Sequence, residues 1–269
     1  MKAVYIKEPG KLEVIDVEKP SIKKDTQVLV KITAAGICGS DIHIFHGTHA
    51  YATYPRIIGH EGCGIVEEVG SAVTDLKPGD SVIIEPITGC GTCYACRHGR
   101  YNCCPDIKVA GVHIDGVMEE YFVTERNKLY KYELHCHTGC VSRCGRVEPE
   151  EIVKLYIENG YDGIVVTDHY SPMTFTPNWR PQKQVDFYLS GYRRMKREAE
   201  RLNPDFTVLL GMELRHYGTA NDYLIYGVNE DFIYAAGNLM KPWEKKVYDM
   251  CHKNGFLVFQ AHPFRAGIR

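Results

Sequence analysis

The sequence predicts two unlike parts: an all-β, barrel-like first part and an α/β second part with a mostly parallel sheet. Short β-branched segments punctuated by glycine and proline fill the first 130 or so residues. After about Tyr132, strands alternate with helical stretches. The residue types suited to metal change along with this rhythm, from a tight cysteine cluster to widely spaced histidines.

In the first part, Lys2–Ile6, Leu12–Val17 and Gln27–Ala34 carry β-branched residues with partial alternation. Gly64–Val69, Ser81–Ile84 and Tyr121–Val123 continue the pattern, broken by turns such as Lys77-Pro78-Gly79-Asp80, and no long amphipathic helix is expected. In the second part Pro149 stands where a helix begins, Glu150 and Glu151 fill its first turn, and Gly160 stops it. The apolar run Gly163–Thr167 reads as a strand, Val185 to Leu202 as a helix and Thr207–Leu210 as a strand. Tyr223–Val228 is expected to be a strand, Trp243–Asn254 a helix and Phe256–Gln260 a strand. The junction, residues 129 to 133, is abrupt, and the domains are expected at 1–130 and 131–269.

The formal charge of −2 and the 44% hydrophobic content exclude a disordered chain and provide no basis for a nucleic-acid partner. The basic run Arg193, Arg194, Lys196 and Arg197 alternates with Glu198 and Glu200, as a solvated helix face does. The start of the chain lacks the apolar core of a signal peptide, and no apolar stretch is long enough to span a bilayer. A cytoplasmic protein with no membrane partner is therefore expected.

Eleven cysteines are many for a reducing compartment. Cys90, Cys93 and Cys96 recur every third residue and Cys104 follows, a spacing that lets four thiolates close around one structural zinc ion. Upstream, Cys38 and His60 supply a thiolate and an imidazole, and Glu61 is either a third ligand or a residue that orients the site. In the second part His135 and His137 share one side of an extended segment. Asp168 and His169, then Glu213, then His262 follow at successive strand ends, where α/β folds gather ligands. These nitrogen and carboxylate donors suit Zn²⁺, Mn²⁺ or Fe²⁺, and a bridging glutamate can hold two such ions for phosphoester hydrolysis. Cys136, Cys140 and Cys144 recur every fourth residue among these histidines and are further zinc candidates, but a strand-to-loop segment does not hold that spacing together as a helix would, so a separate zinc site is not expected there.

The motifs Gly36-Ile37-Cys38-Gly39-Ser40-Asp41, Gly59-His60-Glu61, Lys77-Pro78-Gly79-Asp80-Ser81-Val82 and the four-cysteine lobe stand together in order. In them the first part resembles the GroES-like catalytic domain of zinc-dependent medium-chain alcohol and polyol dehydrogenases. That resemblance implies catalytic zinc on Cys38 and His60 with Glu61 beside it, and a proton relay through Ser40 and His43. Family members continue into a Rossmann domain that binds NAD(P). No Gly-rich dinucleotide fingerprint occurs in this sequence, so this chain alone is not expected to bind NAD(P).

The second part carries Leu134-His135-Cys136-His137-Thr138, Ser142, Cys144-Gly145, Val166-Thr167-Asp168-His169, Gly211-Met212-Glu213 and Ala261-His262-Pro263-Phe264-Arg265. In these it resembles the PHP (polymerase and histidinol phosphatase) superfamily of (β/α)7 barrels, which hydrolyse phosphoesters. The resemblance implies His135, His137, His169, Glu213 and His262 as metal ligands. It makes Asp168 a catalytic or strand-end residue. A late Asp-x-His pair of the family does not follow His262, and about 138 residues provide four or five strands of the barrel. A partial barrel leaves core faces exposed, so self-association is expected.

Three functional classes follow. One is a PHP-type phosphoesterase acting on a small phosphoester, the more expected seat of activity. Another is an alcohol or polyol dehydrogenase fragment lacking its NAD(P)-binding domain. The third is a non-catalytic zinc-bearing protein, or a misassembled join of two fragments.

Overall fold

The computed structural model describes residues 1–175, 179–236, 238–241 and 244–262. The chain divides into two compact units between Lys131 and Tyr132. The first is all-β apart from short helices, and the second is a partial α/β barrel.

The first unit runs β1 (Lys2–Glu8), β2 (Lys11–Asp16), β3 (Gln27–Ala35), α1 (Gly39–Phe45), β4 (Arg56–Ile57), β5 (Gly62–Val69), β6 (Ser81–Ile84), β7 (Ile87–Thr88), α2 (Tyr94–Arg97), β8 (Lys108–Val109), β9 (Tyr121–Glu125) and β10 (Leu129–Tyr130). Its largest sheet has the order β10-β6-β5-β3-β9, with every pairing antiparallel. Side chains alternate across a strand, and β6 shows why the register holds: Val82 and Ile84 are buried while Ile83 between them is exposed. Val28, Val30, Val66 and Leu129 belong to the same core.

The second unit runs β11 (Tyr132–Cys136), α3 (Pro149–Glu158), β12 (Gly163–Val166), β13 (His169–Tyr170), α4 (Pro181–Leu202), β14 (Thr207–Arg215), β15 (Asp222–Tyr226), α5 (Glu230–Ala236), α6 (Glu244–Lys253) and β16 (Leu257–Ala261). The sheet order is β11-β12-β14-β15-β16, with β13 beside β14. All four residues of β12 are buried, as befits a central strand covered on both faces. On α4, Val185, Tyr188, Leu189, Met195 and Ala199 are buried at helical spacing and pack toward the sheet.

The sheet is less parallel than the sequence suggests. β11, β12, β13 and β14 pair in parallel, but β14–β15 and β15–β16 are antiparallel. The link from Arg215 to Asp222 is too short for a crossover helix, so the chain must turn back as a hairpin. Since β16 reverses direction once more, its carboxyl end points the same way as that of β14. α4 starts four residues before the expected Val185, because Pro181 at its first turn is preset for helix. α5 carried no periodic signal strong enough to be expected. Trp243, the expected start of the last helix, lies outside the described residues, as do Pro263, Phe264 and Arg265.

The basic run on α4 is only partly solvated. Arg193 donates to Glu230 on α5, and Arg194 forks onto Glu150 at the start of α3, while Lys196 and Arg197 are exposed. The two half-buried arginines thus tie three helices together.

Candidate functional site

In the first unit, the four cysteines of the lobe come together: sulfur atoms of Cys90, Cys93, Cys96 and Cys104 lie within 4.8 Å of one another. Backbone N–H groups aim at the sulfurs, from Cys90 to Cys104 Sγ, from Cys93 to Cys90 Sγ and from Cys96 to Cys93 Sγ. The Thr92 hydroxyl and neighbouring N–H groups push the Cys90 thiol down to about 6, whereas burial and the adjacent sulfurs push Cys96 up to about 12. Four sulfurs this close cannot all be thiolates without a cation among them, which is what tetrahedral zinc supplies. Cys103 is exposed and outside the group.

Cys38, His60 and Glu61 form a separate group with ligand atoms within 4.8 Å. Cys38 is the N-cap of α1, and its backbone N–H donates to Asp41 Oδ2 at 2.8 Å. The other Asp41 oxygen lies 3.5 Å from His60 Nδ1, and both atoms are buried without a hydrogen-bond partner. A buried carboxylate behind a histidine orients its ring, as metal-site histidines require. Ser40 Oγ lies 3.2 Å from His60 Nε2. His43 is exposed, bonded to Thr48 Oγ1 at 2.9 Å, and belongs to none of the clusters of the described residues.

In the second unit the histidines converge on one carboxylate. Glu213 Oε2 lies 3.3 Å from His135 Nε2, 3.2 Å from His137 Nε2 and 3.1 Å from His169 Nδ1. Its Oε1 lies 3.4 Å from His262 Nε2. Glu213 is fully buried, and its Oε1 and His137 Nδ1 have no hydrogen-bond partner. Burial raises the Glu213 carboxyl, but hydrogen bonds from His135 and His137 and the charges of His169 and His137 outweigh it and hold the group far below the usual carboxylate range. The Glu213 hydrogen bond raises His135, whereas burial lowers His169. His135 Nε2 and His137 Nε2 stand 3.0 Å apart. Crowded lone pairs facing a buried carboxylate are the donor set of a cation site, so these residues fit divalent metal. His262 adopts φ 50°, a left-handed conformation costly for a side-chain-bearing residue and often found at functional sites.

The ligand atoms fall into groups. One is His135, Glu213 and His262; another is His137, His169 and Cys144; a third is His169, Glu213 and Asp222. Of these, His137, Cys144, His169, Glu213 and His262 line a cavity of about 410 Å³ whose lining also includes Arg143, Ser171 and Arg215. Arg215 is clamped by Asp222, its partner across β14 and β15, with Nε to Oδ1 at 2.6 Å.

Asp168 does not line this cavity. It is 1% exposed, Oδ1 accepts from Thr138 N and Ser142 Oγ at 2.7 Å, and Oδ2 accepts from Thr138 Oγ1 at 2.6 Å. Burial raises its carboxyl against these hydrogen bonds. The Asp168 carboxylate therefore braces the loop after His137 in place of facing the cavity. The α4 backbone closes over it at Gly191, where a Cβ would meet Thr138 Oγ1 at 2.4 Å.

The three spaced cysteines separate as the strand-to-loop geometry implies. Cys136 is in the core under α3, Cys140 turns toward the Thr138 hydroxyl, and only Cys144 reaches the histidines. Neither Cys144 with His137 and His169 nor Asp222 was legible in sequence. Cys144 was visible in a cysteine series and in the Cys144-Gly145 motif, neither of which points to His137 and His169 as its neighbours, and Asp222 has no motif around it.

Residues 24–134 match the alcohol dehydrogenase GroES-like domain, and residues 133–255 match the PHP domain. The chain is 40% identical over 131 residues to the starvation-sensing protein RspB of Escherichia coli K12, covering 49% of this chain and 38% of that protein. It is 38% identical over 137 residues to L-threonine 3-dehydrogenase of Thermococcus kodakarensis, covering 49% of this chain and 38% of that enzyme. Against sorbitol dehydrogenase of Bacillus subtilis the identity is 40% over 126 residues, covering 45% of this chain and 35% of the enzyme. The chain thus spans well under half the length of these curated relatives. A solved zinc-binding dehydrogenase of Sinorhizobium meliloti bound to NADP superposes with a TM-score of 0.46 at 29% identity, covering 62% of this chain and 55% of that one. No helix among the described residues is long and apolar enough to cross a membrane. In sequence, the chain joins a first part that matches the alcohol dehydrogenase GroES-like domain to a second part that matches the PHP domain, and each part carries clustered side chains that could hold a metal ion.

Proposed function

We propose that the second unit hydrolyses small phosphoesters with divalent metal ions, using His135, His137, His169, Glu213 and His262 as ligands. The convergence of the four imidazoles on one fully buried carboxylate carries this reading. Glu213, approached by imidazoles on both oxygens, would serve as a ligand through either oxygen. Cations such as Zn²⁺, Mn²⁺ or Fe²⁺ supply Lewis-acid charge for the phosphoryl oxygens and lower the pKa of water.

The chain's own residues do the rest. Arg215, pinned by Asp222, holds its guanidinium at the cavity wall, and Arg143 stands exposed beside it, both suited to phosphate oxygens. Asp168 is a positioning residue that fixes the loop from Thr138 to Cys144 through Thr138 and Ser142. Leu257 and Phe259, exposed on β16, provide a surface for self-association.

Release of p-nitrophenol from p-nitrophenyl phosphate by the full chain with Mn²⁺ or Zn²⁺ tests the reading. Turnover that His137→Ala and Glu213→Gln abolish is expected. A metal-loaded chain without turnover, or turnover untouched by both substitutions, overturns it.

A second reading rests on the Cys38, His60 and Glu61 group with Asp41 behind His60. Those residues would hold catalytic zinc for alcohol or polyol oxidation, with Ser40 and His43 relaying the proton and NAD(P) bound by a domain beyond this chain. Reduction of NAD(P)⁺ by a polyol with the 269-residue chain alone would contradict that division of labour. Absence of both activities in the zinc-loaded chain leaves the non-catalytic zinc-bearing reading.

A further inference from the structure

We propose that a second cavity of the second unit, toward the opposite end of β14 from the histidine centre, binds an aromatic α-amino acid, with Lys196 on its carboxylate and Asp231 on its ammonium. The proposal goes beyond the phosphoesterase reading and does not depend on it.

The cavity arises from the way β15 leaves the sheet. Pairing between β14 and β15 ends at Gly211 and Tyr226, after which Gly227, at φ 90°, turns the chain toward α5. Over residues 207 to 210, β14 is therefore paired on one side only, with β12, among the described residues. A cavity of about 500 Å³ opens there, bounded by Tyr192 and Lys196 of α4 and by residues 227 to 231. Leu209 and Glu213 stand four residues apart on β14, about 13 Å along an extended strand. This cavity and the one at the histidine centre share no lining residue.

Its wall has the chemistry of an amphipathic ligand's counterpart. Val165, Leu210 and Val228 are buried, whereas Leu209 is 47% exposed, a large apolar side chain for a ligand to cover. Tyr192 and Tyr226 add aromatic rings, suited to an aromatic body. Tyr226 is held in place by its hydroxyl, which donates to Leu134 O at 3.0 Å.

Three charged side chains line the cavity, and only one is neutralised. Glu230 accepts from the Arg193 guanidinium, a clasp that also fixes α5 on α4. Lys196 and Asp231 are exposed, and neither has a hydrogen bond or ion pair among the described residues. Asn229 Oδ1 accepts from Phe232 N at 2.8 Å, so Asp231 sits on a braced turn. An anchored carboxylate and a lysine on a flexible stem match the ammonium and carboxylate that an α-amino acid carries on one carbon. A carboxylic acid alone would leave Asp231 unmatched, and an amine alone would leave Lys196 unmatched. The volume falls in the range of small-molecule sites and admits a phenyl-sized side chain.

Heteronuclear NMR of the full chain, titrated with L-phenylalanine, reads the site at the Leu209 and Gly227 amides. Saturable shifts of both are expected. Hydrocinnamate lacks the ammonium and phenethylamine lacks the carboxylate, so each should bind at least about tenfold more weakly. Lys196→Ala and Asp231→Asn should each weaken L-phenylalanine by a similar factor and leave the free protein folded, because both side chains are exposed. Arg197→Ala, at an exposed position outside the cavity lining, should change nothing. Absence of shifts up to the solubility limit of L-phenylalanine overturns the site. Hydrocinnamate or phenethylamine binding as tightly as the amino acid, or affinity untouched by both cavity substitutions, overturns the amino-acid assignment.

Discussion

His169 and Glu213 are register partners on the parallel strands β13 and β14, and His169 Nδ1 lies 3.1 Å from Glu213 Oε2. A strand pairing sets this contact, so the geometry is as rigid as the sheet. Replacing Glu213 with Gln keeps the shape and removes the charge. In the wild type, Zn²⁺ or Mn²⁺ at about a hundred times the dissociation constant should raise the stability of the second unit by about 2.7 kcal/mol. The variant should unfold at the same denaturant concentration with and without metal. Equal metal stabilisation of both proteins would remove Glu213 from the centre.

Asp168→Asn should loosen the loop without touching the ligands. An amide nitrogen would face Thr138 or Ser142, donors that now find a carboxylate, at a cost of about 1–3 kcal/mol of unfolding free energy. Zn²⁺ affinity should fall along with it, because the braced loop follows directly on His137. Denaturation and metal titration measured side by side check this; lowered stability with intact affinity would make the brace purely structural.

The four-cysteine lobe should depend on its metal for order. Of its four cysteines only Cys104 is buried, so little apolar packing holds residues 90 to 104 once zinc leaves. Zinc chelation, or Cys104→Ser, should release about one zinc ion per chain and expose residues 90 to 104 to protease, with the β-sheet circular dichroism retained. A metal-free lobe that resists protease would refute the dependence.

Glu119 in the first unit should make stability depend on pH. Burial, and then the Asp115 charge, push its carboxyl up to about 7. A carboxyl raised in the folded state holds its proton more tightly there than in the unfolded chain. Its contribution is therefore full below the ordinary value of 4.5 and is lost as pH rises through about 7. Allowing for partial solvent screening, the first unit should lose on the order of 2 kcal/mol between about pH 5 and about pH 8. Glu119→Gln should flatten that part of the profile, as urea unfolding at the two pH values will show.

Much of the fold was legible because local periodicity carries it. The alternation around Val82 and Ile84 marks a half-buried strand, and Pro149 with Glu150 and Glu151 marks a helix start, whatever packs against them. The antiparallel turn-back at β15 was not legible, because strand direction depends on how a six-residue link closes in space.

The sequence by itself determined the two-part architecture, the cysteine lobe and the identity of the five histidine-site candidates. Residue types at motif spacing are local information, and a short chain segment limits what its side chains can reach. The tertiary structure decided how those candidates group in space, that Asp168 braces a loop, and that Cys144 and Asp222 stand within reach of the histidines. Those relations run across sheet register and loop closure between residues tens of positions apart, and only packing brings such distant side chains within a few ångströms.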